Sequence, residues 1–201
     1  MSHIIQVIAQ PLFFIIYKLL YKLEVRDVKN LQGIQKPILI ISNHRSINDP
    51  WLIGASLPMF SRFLPVYYIG GTRFNPPLLW LYKIGIISLV YWLFGAFALP
   101  NEGTFEEKIQ PIIKILKQGN AVVMFPEGGR KSRTGIVGEF KAGTAEVFLR
   151  TGIPILPVGI KKLNEHSRTL RVVFGKSFQP SSKTADEITR ELRTVVVGLL
   201  Q

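Results

Sequence analysis

With 201 residues, 47% of them hydrophobic, the chain is not intrinsically disordered and is long enough to bury the core of one domain. Cysteine is absent, which excludes a disulfide framework, a Cys-ligated zinc and a thiolate nucleophile. The 25 Lys+Arg against 13 Asp+Glu give a formal charge of +12, which favours polyanionic surroundings, either nucleic acid or the anionic face of a membrane.

The first apolar run, Ile4 to Leu20, contains Pro11 and ends among Lys18 and Lys22. A spanning helix needs about 20 mostly apolar residues, so residues 1–30 read as an interfacial membrane anchor. Tyr17, Lys18, Tyr21 and Lys22 then sit at headgroup level; an ordinary core helix is the alternative. The apolar run favours a membrane surface over nucleic acid as the partner of the positive charge. Pro37 to Ser42 reads as a strand buried on both faces. Asp49 is the expected N-cap of the helix that follows, with Pro50 at its first position. A second apolar run, Leu78 to Leu99, is long enough to span a bilayer. Its glycines and β-branched residues favour a helix, a turn and a strand in a buried core, with an acyl-chain groove beside it.

Thr104 is placed to cap a helix with Glu106 and Glu107 in its first turn and Gly119 as its stop. Ala121 to Phe125 is a further buried strand, ended by Pro126. Lys141 to Thr151 reads as a helix stopping at Gly152, Ile155 to Ile160 and Thr169 to Phe174 as strands. Asp186 to Leu200 reads as an amphipathic helix with Ile188, Leu192, Val195, Val196 and Leu199 on one face. The alternation predicts an α/β domain over residues 31–201, a mixed, partly parallel sheet covered by helices, preceded by the membrane-associating helix.

Nucleotide-binding glycine motifs, a Gly-x-Ser-x-Gly elbow and a His-Glu-x-x-His zinc motif do not occur, and no metal site is indicated. Of the three histidines, His3 lies at the terminus and His166 in a polar turn, which leaves His44 as the candidate general base. It follows the Pro37–Ser42 strand, where ligands of open α/β sheets collect. Asp49 can accept from one nitrogen of the His44 ring across the loop, leaving the other nitrogen to take a proton. If the nucleophile is a hydroxyl of the substrate, this pair needs no serine. Beyond the second buried strand, Gly128 and Gly129 permit close backbone approach to a ligand, and Arg130 offers a fork for phosphate oxygens. Lys131 and Arg133 add positive field, and Glu127 is suited to orient Arg130 or to bind a substrate hydroxyl.

Asn43-His44-x4-Asp49 together with Phe125-Pro126-Glu127-Gly128-x-Arg130 resembles the glycerolipid acyltransferase family that includes the 1-acylglycerol-3-phosphate acyltransferases. Phe140-Lys141-x-Gly143 and Ile153 to Val158 extend the resemblance over roughly residues 37–160. It implies that His44, oriented by Asp49, deprotonates a glycerol hydroxyl. That hydroxyl attacks the thioester of acyl-CoA or acyl-carrier protein, a co-substrate rather than a cofactor, to give phosphatidic acid for phospholipid synthesis. Asn43, Glu127, Gly128, Gly129, Arg130, Lys131 and Lys141 are the implied substrate-binding residues. Implied partners are a membrane lipid substrate, an anionic membrane surface and the acyl carrier, with attachment at the cytoplasmic face of the cell membrane. Two departures stand out. Gly95 to Asn101 lacks the Asp-Arg that ends the family's second motif, leaving Arg73 as the nearest stand-in, and Gly129 replaces a Thr or Ser. An acyltransferase acting on another lysolipid, and a non-catalytic basic protein binding membrane or nucleic acid, are the competing functions.

Overall fold

The structure, a computed structural model, describes residues 2–71, 76–100, 102–132, 136–162 and 167–201. Arg73, Asn101, Arg133 and His166 lie outside the described residues. Among the described residues, seven strands form one sheet: β1 (Lys22–Arg26), β2 (Ile38–Ser42), β3 (Val66–Gly70), β4 (Ala96–Ala98), β5 (Ala121–Met124), β6 (Ile155–Lys162) and β7 (Thr169–Phe174). Their spatial order is β1-β7-β6-β2-β5-β3-β4. β6 and β7 pair antiparallel and the other neighbours pair parallel. The fold is the expected mixed α/β sheet, partly parallel by expectation and parallel in every pairing but β6–β7.

Both faces of the sheet are covered, which is why its central strands read as continuous apolar runs. Ile38 and Ile40 of β2 pack on one face with residues of α1 (Ser2–Leu20) and α2 (Asp49–Ser56). Leu39 and Ile41 pack on the other with α5 (Phe105–Lys117), α6 (Gly143–Thr151) and α7 (Ala185–Gly198). All four of these β2 residues are fully buried, and at about 25 cal/mol per Å² such burial is the main stabilising term. The α5 start is the expected capping box: Thr104 Oγ1 accepts from Glu107 N, and Glu107 Oε2 accepts from Thr104 N.

The expected boundary at residue 30 is corrected by the structure. β1 lies inside the segment read as anchor, yet it is an edge strand paired in parallel with β7 from Lys22↔Thr169 to Arg26↔Val173. A strand of alternating character at a sheet edge leaves only a weak apolar signal. α1 is also docked on the domain. The Gln6 side chain donates to Val66 O and Phe94 O at 2.9 Å and accepts from Val66 N at 2.8 Å. Gln10 donates to Leu57 O and Pro58 O and accepts from Phe60 N. The opposite side of α1 carries Ile4, Ile8, Leu12, Ile15 and Leu19 at three- and four-residue intervals, all exposed, Ile8 at 69% and Leu19 at 72%.

The Leu78–Leu99 run departs from the expected helix, turn and strand: two helices, α3 (Pro76–Lys83) and α4 (Ile86–Phe94), precede the short β4, with Gly85 and Gly95 at positive φ in the connections, and the β-branched Ile86, Ile87 and Val90 lie in α4. It does not form the expected buried core. α4 has no buried residue, and Trp80, Ile84, Leu89 and Trp92 are exposed. Asp49 is likewise not the expected N-cap: the cap position falls on Asn48, and the Asp49 carboxylate turns back to the preceding loop.

Candidate active site

The parallel strands β2 and β5 run side by side, Ile38↔Ala121 through Ile41↔Met124, so their carboxyl ends deliver residues 43–49 and 125–132 to the same edge of the sheet. In the first loop, His44 Nδ1 lies 2.8 Å from Asp49 Oδ2. The same oxygen accepts the backbone N–H groups of Arg45 at 2.6 Å and Ser46 at 2.7 Å. Asp49 is buried and the His44 side chain keeps 17% of its exposure. Nδ1 is thereby fixed as the donor, and among the described residues no group bonds Nε2. The imidazole also stacks on Phe125, ring centroids 4.1 Å apart at 20°, which restricts its rotation.

The loops are joined through Glu127. Its Oε1 accepts His44 N at 2.9 Å and Ser132 Oγ at 2.6 Å, and its Oε2 accepts Gly138 N at 3.3 Å. Ser132 N in turn donates to His44 O at 3.1 Å. Both backbone polar groups of His44 are thus held by the second loop. Glu127 is fully buried, and its bonds run to His44, Ser132 and Gly138 rather than to Arg130. A buried carboxylate must find donors, and the His44 and Gly138 amides with the Ser132 hydroxyl supply three. Asn43 is likewise buried and bonded within the protein. Its amide donates to Ile160 O and accepts from Ile160 N, at 3.0 and 2.8 Å, tying the end of β2 to β6.

The remaining predicted residues are on the surface of the second loop. Gly128 has φ +65°, and a Cβ built there would sit 3.0 Å from the Lys141 Cδ, Cε and Nζ atoms. The Lys141 stem therefore lies over Gly128, with its backbone N–H bonded to Pro126 O at 2.8 Å. Gly129 leaves open space around its Cα, and Arg130 and Lys131 are exposed. Arg193 of α7 donates to Gly138 O and Val137 O, bracing the segment that reaches Glu127. Sequence reasoning missed Ser132 and Arg193. The hydroxyl five residues after Glu127 was the available signal for Ser132, and Arg193 had none because it acts from a distant helix. Beneath the first loop, the buried Tyr17 hydroxyl of α1 donates to Asn48 O at 3.0 Å. Burial, with Asp49 and Tyr21 nearby, pushes the Tyr17 pKa up, which keeps it a donor.

This arrangement can take a proton at His44 Nε2 and hold anionic oxygens at the cationic, Gly-rich loop. Three comparisons with known proteins bear on it. A probable 1-acyl-sn-glycerol-3-phosphate acyltransferase of Mycoplasma genitalium is 26% identical over 189 residues, which is 81% of this chain and 65% of that protein. A chloroplastic 1-acyl-sn-glycerol-3-phosphate acyltransferase of Arabidopsis thaliana is 26% identical over 189 residues, covering 88% of this chain and 48% of that protein. This chain thus spans about half to two thirds of the length of these two relatives. The crystal structure of the 1-acyl-sn-glycerophosphate acyltransferase PlsC of Thermotoga maritima shares the fold, with a TM-score of 0.71 at 19% identity, over 96% of this chain and 78% of that one. The Acyltransferase family model matches residues 22–161, which hold both loops, strands β1 to β5 and all of β6 but its last residue, Lys162. The chain belongs to the Acyltransferase family.

Proposed function

We propose that the protein is a 1-acylglycerol-3-phosphate O-acyltransferase. It moves a fatty acyl group from an acyl-CoA or acyl-carrier-protein thioester to the free hydroxyl of the lysolipid, giving phosphatidic acid. The observation that carries this reading is the His44 ring, held through Nδ1 by Asp49 at 2.8 Å with Nε2 left for a proton. His44 Nε2 takes the hydroxyl proton as the oxygen attacks the thioester carbonyl. The C–S bond then breaks, and the proton passes to the leaving thiolate. The carbonyl carbon goes from sulfur to oxygen, and no acyl-enzyme forms. Arg130, Lys131 and Lys141 offer their cations to a substrate phosphate, with Gly128 and Gly129 allowing its close approach. Asn43 and Glu127 act as positioning residues, Glu127 through the backbone of His44. The named relatives support the acceptor. Without the arginine of the family's second motif, the phosphate must be held by other cations.

The membrane location belongs to the same proposal. What supports it is the exposed apolar stripe of α1 beside Trp80, Leu89 and Trp92 of α3 and α4, a surface suited to lie among acyl chains at the cytoplasmic face. α1 is long and apolar enough to cross a bilayer, but the clasps of Gln6 and Gln10 hold it along the domain, which favours interfacial insertion.

Transfer of labelled palmitoyl from its CoA and carrier-protein thioesters to 1-acylglycerol 3-phosphate in detergent micelles tests the reading. Phosphatidic acid from wild type and none from a folded His44→Ala variant is expected. Near-normal turnover by that variant removes His44 as the base, and no product from wild type on this acceptor or on a panel of other lysolipids removes the activity.

A further inference from the structure

β2 has two parallel neighbours, β5 on one side and β6 on the other. The cationic loop with Arg130, Lys131 and Lys141 follows β5. On the β6 side, a cavity of about 200 Å³ opens beside the paired Asp49, its polar lining including Arg45, Ser46, Lys162, Tyr17 and Tyr21. Lys162 ends β6 and Arg45 follows His44, so both cations stand at the carboxyl edge of the sheet. The volume is large against the roughly 30 Å³ that one water takes up, so a phosphoryl group fits. The Asp49 carboxylate also lines the cavity, but its Oδ2 is engaged by His44 Nδ1 and by the Arg45 and Ser46 N–H groups. The Tyr17 hydroxyl, held on Asn48 O, stays protonated and adds no negative charge.

The proposed reaction brings together two substrates that each carry phosphate esters: the acceptor in its headgroup, the donor in its pantetheine arm. His44, at the end of β2, stands between two cationic flanks. We infer that the Arg45–Lys162 cavity is an anion subsite for the phosphoryl group of one of the two substrates, the Arg130–Lys141 loop serving the other. The inference rests on the proposed acyl transfer for its ligands, but binding can be read without turnover.

The experiment measures calorimetric binding of glycerol 3-phosphate and of free CoA to wild type, Lys162→Ala and Lys162→Arg in detergent micelles, with KM for both substrates measured alongside. Loss of a charge-assisted contact predicts about a tenfold weaker Kd for one probe with Lys162→Ala. The matching substrate's KM rises, kcat is retained, and Lys162→Arg restores most of the binding. Weakened glycerol 3-phosphate identifies the acceptor's phosphate as the occupant, and weakened CoA the donor's. Equal binding of both probes by wild type and Lys162→Ala, or no binding of either to wild type, overturns the subsite. Lys162-dependent binding by an enzyme that transfers no acyl group leaves the subsite standing and removes the reaction instead.

Discussion

One carboxylate oxygen, Asp49 Oδ2, gathers three donors: the His44 ring and two backbone amides of the same loop. Asp49 therefore shapes the loop as well as fixing the imidazole tautomer. Asp49→Asn keeps the side-chain size but presents a weaker, neutral acceptor, so kcat is expected to fall by roughly 10²–10⁴, the usual worth of positioned acid–base chemistry. Steady-state kinetics at saturating substrate, with circular dichroism to confirm folding, checks this. Glu127 acts at one remove, through backbone groups. Glu127→Ala leaves buried donors of His44, Ser132 and Gly138 without partners and is expected to cost about 2–5 kcal/mol of stability, read as a lowered midpoint of urea unfolding, along with activity. The His44–Asp49 pairing was legible in the sequence because both residues lie in one short loop after a strand. The scaffold positions of Asn43 and Glu127 were not, because the same side chains serve equally well as ligands of substrate or of backbone. Only burial distinguishes the two.

At the level of elements, α5 was legible from its Thr104 cap, the acidic residues of its first turn and its apolar stripe, and α7 from its apolar stripe alone, the structure adding Thr184 as its cap. Thr104→Ala removes the Thr104 Oγ1 half of the α5 capping box, leaving Glu107 N without its acceptor, and is expected to cost about 1 kcal/mol, measured by thermal or urea unfolding. β1, β3 and β4 were not legible as strands, since each is short and only partly buried, so its composition is shared by loops. Gly95 is the hinge of that region. It has φ +73°, and a Cβ there would lie 2.9 Å from Val66 O and 2.7 Å from Gln6 Nε2. Gly95→Ala is therefore expected to destabilise the protein by about 1–3 kcal/mol and to loosen the Gln6 clasp. Faster hydrogen exchange of the Val66 amide, which donates to Gln6 Oε1, is the measurement that reports it.

For the whole molecule, the proposed membrane location gives the apolar surface of α1, α3 and α4 and the +12 charge complementary roles: one would supply insertion, the other attraction to anionic lipid. Ile8→Glu with Leu12→Glu places two carboxylates on the exposed side of α1, away from the Gln6 and Gln10 clasps. Partition onto vesicles of phosphatidylcholine and phosphatidylglycerol is expected to weaken by at least roughly tenfold, with the unfolding midpoint little changed. Cosedimentation across a salt series checks it. Unchanged partition would mean that this stripe is not the membrane face.

The sequence by itself determined the α/β class, the principal buried strands, the capped helices and the two loops that carry His44, Asp49 and Arg130. All of these are written in local periodicity, caps and short-range spacing. The tertiary structure alone decided that β1 belongs to the sheet, that Trp80, Ile84, Leu89 and Trp92 of the second apolar run face outward, and that Asn43 and Glu127 are buried. It also placed Arg45, Lys162 and Tyr17 around a single cavity. Those facts depend on contacts between residues far apart in the chain, and only the closed sheet and the docking of α1 bring such residues within hydrogen-bonding distance.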